Sequence, residues 1–236
     1  VPLWPVMLRF REGKDRVMSG ETSFRGHSIV CCGTLRPEIR ALEESGFLDA
    51  DRILFTAPGL HESPPDLARQ LARQLSRAQE VSERVVVVYG SRCYLDANDP
   101  EKDVDTLIEE HGGHVRRVQA RNCVDMLAAA EQRDDIAAGE RLYWLTPGWV
   151  AYWKHIFRDW DPGKANETFP QNDKAVVLDG IGFFEPYSRE NPEQVLEFSD
   201  WMKIPIEAAR VSLDRLKGLL AAQVTVSTEA TDGGKQ

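Results

Sequence analysis

The sequence predicts an α/β fold: a Rossmann-like open, mainly parallel sheet flanked by helices, with a helical insert and a C-terminal helix. Three observations carry this. Short apolar runs alternate with helical-period segments from residue 28 to residue 178. The run Val85-Val86-Val87-Val88 is continuously β-branched, which suits a parallel strand covered on both faces. Glycine or proline closes most of the apolar runs, at Gly33, Pro58-Gly59, Gly90 and Pro147-Gly148.

The elements follow in order. Ser28 to Cys32 reads as a buried strand ended by Gly33. Thr34 to Ser45 has Leu35, Ile39 and Leu42 at helical spacing, Pro37 in its first turn and Gly46 just past its end. Arg52 to Ala57 is a second strand. Ser63-Pro64-Pro65-Asp66 starts a helix whose Leu67, Leu71 and Leu75 stack on one face, while Arg69, Arg73 and Arg77 make a solvated face. Arg84 to Tyr89 is the third strand, and a short helix spans Asp103 to His111. Val115 to Ala120 is the fourth strand, followed by a helix from Asn122 to Ala138. Arg141 to Leu145 is the fifth and Ala175 to Leu178 the sixth. Between them, residues 150–173 carry Trp153, Phe157, Trp160 and Phe169 and read as a helical insert over the sheet. A last helix spans Ile206 to Ala222. The expected organisation is an N-terminal arm (1–26), one α/β domain (27–223) and a loose tail (224–236).

Composition narrows the function. The chain has 236 residues, 42% hydrophobic and 28% charged, which is ordinary for a globular domain. A net charge of −9 argues against binding nucleic acid through its phosphates. No window reaches the ~18 apolar residues of a membrane span. Four cysteines do not make a disulfide scaffold, and without an export signal the expected location is the cytoplasm, where thiols stay reduced. No GxGxxG, GxxxxGK[ST] or GxSxG pattern occurs, so no NAD or ATP site and no serine-hydrolase elbow is recognised.

The cysteines are the informative residues. In open α/β sheets, ligands bind beyond the carboxyl ends of the strands. Cys31 and Cys32 end the first strand, Cys93 follows the third and Cys123 the fourth. Packing alone explains Cys31, but it explains Cys93 and Cys123 poorly because both follow their strands. Strand alternation sends Cys31 and Cys32 to opposite sides, and Cys32 stands nearer the strand end. Cys32, Cys93 and Cys123 are therefore expected to converge on one site as metal ligands. Three thiolates need positive charge, which a metal, Arg92, Arg121 or the free amides after Asn122 would supply. Three cysteines and a fourth partner fit zinc, and three with an open corner fit an iron–sulfur cluster. His61 follows the second strand, so it is expected at the same crevice as a ligand or a base, with Glu62 orienting it or acting as a base itself. Trp149 is expected to wall the site. The alternative is a metal-free accessory or binding protein, with a reactive cysteine paired to His61 or a merely packed cluster.

CCGTLRPEI after the first strand, LHESP after the second, YGSRC after the third, RNC after the fourth and YWLTPGW after the fifth resemble a bacterial and archaeal family catalogued as a domain of unknown function. Its pattern runs Cys-Gly-x-Leu-x-x-Glu, Leu-His-x-x-Pro, Tyr-Gly-x-Cys, an Arg-x-Asp-Cys-like segment and Thr-x-Gly-Trp. The resemblance spans roughly residues 28–220. It implies that Cys32, His61, Cys93, Arg121, Cys123 and Trp149 are site positions. It also implies a setting beside corrinoid-dependent methyltransferases of one-carbon compounds, with a corrinoid protein or methyltransferase as partner of a metal-dependent methyl-transfer or redox enzyme. The chain departs from the pattern at Asn122, where Asp is usual, and at Arg92, where a smaller residue is expected.

Overall fold

A computed structural model describes residues 22–225, apart from 95, 97–98, 100–101 and 113. The expected arm (1–26) and tail (224–236) thus lie largely outside the described residues. Among the described residues, seven parallel strands form two sheets rather than one. Strands β1 (His27–Cys31), β2 (Arg52–Phe55), β3 (Arg84–Val88) and β4 (His114–Arg117) pair in the order β2-β1-β3-β4. Strands β5 (Leu142–Leu145), β6 (Lys174–Asp179) and β7 (Ile206–Arg210) pair in the order β5-β6-β7. Every pairing is parallel, so each sheet needs crossovers, and helices supply them.

The first sheet is covered on both faces. Helix α2 (Pro64–Gln79) lays Leu67, Leu71 and Leu75 against Val30, Val85 and Val87 on one face. Helix α1 (Arg36–Glu44) lays Ile39 and Leu42 against Ile29, Val86 and Val88 on the other. This explains the unbroken valine run of β3, whose two faces belong to two cores. Helix α3 (Val104–Glu109) opens on a capping box in which Asp103 accepts from the amides of Asp105 and Thr106.

Two expectations from periodicity are corrected. The helix expected over Asn122 to Ala138 breaks into α4 (Cys123–Leu127) and α5 (Ala130–Ala137), because Ala128 is extended. The helix expected over Ile206 to Ala222 opens instead as strand β7, and only α10 (Asp214–Thr225) is helical. Pairing with β6 selects the extended conformation here over helix propensity. The insert is helical as expected, as α6 (Pro147–Ile156) and α7 (Pro162–Thr168). Its Trp153, Phe157 and Phe169 pack with Phe198 of α9 (Pro192–Met202) over the second sheet, and helix α8 (Phe184–Glu190) precedes α9.

The two sheets meet where their strands end. The Thr146 hydroxyl donates to the Thr34 carbonyl at 3.0 Å, and the Gly148 backbone lies so close to that carbonyl that a Cβ would overlap it. The start of α6 is thereby clamped onto the loop that follows β1. Among the described residues no helix is long and apolar enough to cross a membrane.

Candidate functional site

The strand-end loops of the first sheet are stacked on one another. After β3, the amides of Ser91 and Arg92 donate to the carbonyls of Ala120 and Arg121 at 3.0 Å each. Gly90 presses against the Arg121 backbone, leaving no room for a side chain. After β4, Asn122 caps α4 by accepting from the Asp125 amide at 2.9 Å, which makes Cys123 the first helical residue. The capping atom is a side-chain oxygen, so asparagine performs here what an aspartate would. Arg215 of α10 fixes the same turn through the Asp125 carboxylate at 2.9 Å.

These loops bring Cys32, His61, Cys93 and Cys123 to one cavity of about 20 Å³, which Thr34, Leu35, Val88, Tyr89, Gly90 and Met126 complete. Cys31 faces the opposite core, as alternation requires. All four thiols are free. Among the described residues, no three His, Cys, Asp or Glu side chains stand together closely enough to hold a metal ion.

The thiols differ in their surroundings. Burial raises all three, and the sulfurs of Cys32 and Cys123 push up Cys93 further. Cys123 is pushed up to about 12 by burial and then by Cys32. Cys32 has the most compensation. Its sulfur lies 3.0 Å from the Thr34 hydroxyl, and Tyr89 and the backbone at Thr34 and Gly59 also favour its thiolate. Tyr89 shares its hydroxyl with Thr56 in a buried pair. Thr34 also favours the Cys123 thiolate, so one hydroxyl serves two of the three sulfurs.

His61 stands at the mouth, with 34% of its side chain exposed. Burial lowers its pKa against the opposing pull of Glu62, so it is neutral at pH 7. Its Nε2 lies 3.5 Å from Glu62, whose other oxygen accepts from Trp160 Nε1 at 2.9 Å and Lys164 Nζ at 2.8 Å. The Trp149 ring stands 5.3 Å from the imidazole, and its indole favours the Cys123 thiolate. The insert therefore covers the site with Trp149 and secures Glu62 with Trp160 and Lys164.

Arg92 and Arg121 are exposed and do not line the cavity. The cation that favours the Cys93 thiolate is Arg117, buried beneath the loops. It holds Asp105 through two bonds of 2.7 Å and donates to the carbonyls of Tyr89, Val118 and Ala120. An arginine ending a buried strand was the available sequence signal for it.

Glu38 was also missed, although it stands in the CGTLRPE stretch. It is fully buried in the first turn of α1, and burial, with Asp179 adding repulsion, raises its pKa to about 8. Between its ordinary 4.5 and about 8, the folded chain holds a proton that the unfolded chain releases. Stability therefore falls as pH rises through that window, by up to about 1.4 kcal/mol per pH unit. Urea unfolding at several pH values should show this slope in the wild type and a flatter one in Glu38→Gln.

A family model described as protein of unknown function (DUF1638) matches residues 55–220. The match includes His61, Cys93, Cys123 and Trp149, and Cys32 lies ahead of it. No curated protein and no solved structure matches the chain.

Proposed function

The chain belongs to the DUF1638 family, and we propose that its strand-end cavity is a metal centre on Cys32, Cys93 and Cys123 that handles a small molecule at His61. The single observation that carries this reading is the convergence of three thiols and an imidazole, from four different strand ends, on one cavity. Its electrostatics support it. Cys123 and Cys32 oppose the Cys93 thiolate, Cys32 opposes that of Cys123, and Arg117 is the basic side chain acting on Cys93, so a cation that draws the three sulfurs together would compensate them. When bound, such a metal supplies Lewis acidity as zinc or electron transfer as an iron–sulfur cluster. Cys32 brings the thiol best supplied with hydrogen-bonding groups. Trp149 excludes water from one side. His61, neutral and held through Glu62, accepts or returns a proton at the mouth. Thiolate ligands of this kind belong in a reducing compartment, which supports the cytoplasm as its location.

Metal analysis of anaerobically purified protein tests the reading. About one zinc, or several irons with sulfide, per chain is expected, with loss of most of it in Cys93→Ala and Cys123→Ala. His61→Ala should keep the metal and lose turnover, since its role is that of a base. A wild type without metal, or cysteine variants that retain the full content, would sink the proposal.

A further inference from the structure

Two hydroxyl-bearing residues line the strand-end cavity, Thr34 and Tyr89. Tyr89 shares its hydroxyl with Thr56. The Thr34 hydroxyl oxygen lies 3.0 Å from the Cys32 sulfur, and Thr34 is only 1% exposed. The turn that carries this pair has little freedom. The Leu35 amide donates to the Cys32 carbonyl at 3.1 Å. Between the two residues, a Cβ at Gly33 would overlap the Thr56 carbonyl and the Pro58 nitrogen. From the second sheet, the Thr146 hydroxyl donates to the Thr34 carbonyl at 3.0 Å and the Gly148 backbone abuts it. A β-branched side chain on so fixed a backbone has few rotamers open to it. The contact between hydroxyl and sulfur is therefore built into the junction of the two sheets.

We propose that Thr34 is a positioning residue of the metal centre, whose hydroxyl donates a hydrogen bond to the Cys32 sulfur when that sulfur is a metal ligand. This deepens the proposed function and rests on that reading. A thiol and a hydroxyl can each donate, so with Cys32 protonated the bond runs either way. A ligating sulfur has released its proton to solvent and only accepts, so the hydroxyl becomes the donor. The bond draws charge off the sulfur and fixes its direction. Partners that orient a metal ligand in this way typically change metal affinity by about 10–100-fold. Tyr89 is not free to take this role, because its hydroxyl is already paired with Thr56. Thr34 brings the second sheet to bear on the site, since the start of α6 holds the backbone from which the hydroxyl projects.

The test loads the full chain, freed of its own metal, with cobalt(II), whose sulfur-to-cobalt charge-transfer absorption reports on the ligating thiolates. Thr34→Val keeps the shape of the side chain and removes the hydroxyl. It should move the band to longer wavelength, because a sulfur without its hydrogen bond gives up electron density more easily. It should also weaken cobalt binding about 10-fold. Thr34→Ser, which restores the hydroxyl without the methyl, should return both toward the wild type. A Thr34→Val protein with the wild-type band and affinity would overturn the proposal. So would a Thr34→Ser protein that behaves like Thr34→Val, since the side chain's shape would then be what matters. If Thr34→Val does not fold, the wild type loaded with cadmium-113 gives the answer. Its Thr34 hydroxyl proton should show scalar coupling to cadmium through the sulfur, and absence of that coupling overturns the role. The wild-type spectrum keeps the two readings apart. A cobalt–thiolate band that ignores the Thr34 substitutions defeats Thr34 alone, whereas a wild type that gives no such band defeats the metal centre and the role of Thr34 with it.

Discussion

Gly148→Ala is expected to cost about 3 kcal/mol, at the upper end for an overpacked site. The added methyl would overlap the Thr34 carbonyl and Cα. Neither side can yield easily. Thr34 is buried, its carbonyl is bonded by Thr146 at 3.0 Å, and its hydroxyl is committed to Cys32. Movement of α6 away from Thr34 would separate the two sheets where they meet and carry Trp149 off His61. Gly218→Ala provides the contrast. Gly218 lies inside α10 with open space where a methyl would sit, so alanine there should stabilise by about 0.5–1 kcal/mol. Urea unfolding of the two variants beside the wild type checks both signs.

Arg117→Leu is the other large effect, about 3 kcal/mol of lost stability. Two bonds to Asp105 and three to carbonyls vanish together, and the Tyr89, Val118 and Ala120 carbonyls lose a charged donor. Asp105 keeps 46% of its side chain exposed, so water recovers part of its share and holds the cost below that of a fully buried pair. The same change removes the cation that favours the Cys93 thiolate. Arg92→Leu, at an exposed position, should leave stability within about 0.5 kcal/mol. Denaturant midpoints separate the two arginines directly.

Strand-end logic found the thiols and His61 because it depends only on where strands stop and which way side chains alternate. Alternation alone thus separates Cys32 from Cys31. The arginines were placed by a different argument. Adjacency in sequence places Arg92 beside Cys93 and Arg121 beside Asn122-Cys123, but both side chains belong to loop surfaces, while Arg117 reaches the site from beneath through tertiary packing. Thr34 and Glu38 were hidden because their significance lies in what they face: the second sheet clamps the first, and Glu38 is closed off beside Asp179. The division into two sheets was hidden too, since alternation of strand and helix reads the same whether the fifth strand joins the first sheet or founds another. At β7 the competing helical pattern lost to the pairing offered by β6.

X-ray absorption at the metal edge of the anaerobically purified protein tests the central claim most directly. Three sulfur ligands from the protein, at ~2.3 Å from the metal, are expected, with sulfur coordination falling when Cys32, Cys93 or Cys123 is replaced by alanine. For a cluster, the inorganic sulfides add to the same shell and the loss appears as one cysteine sulfur fewer at the cluster. A protein without metal, or a metal held by oxygen and nitrogen alone, would contradict the account.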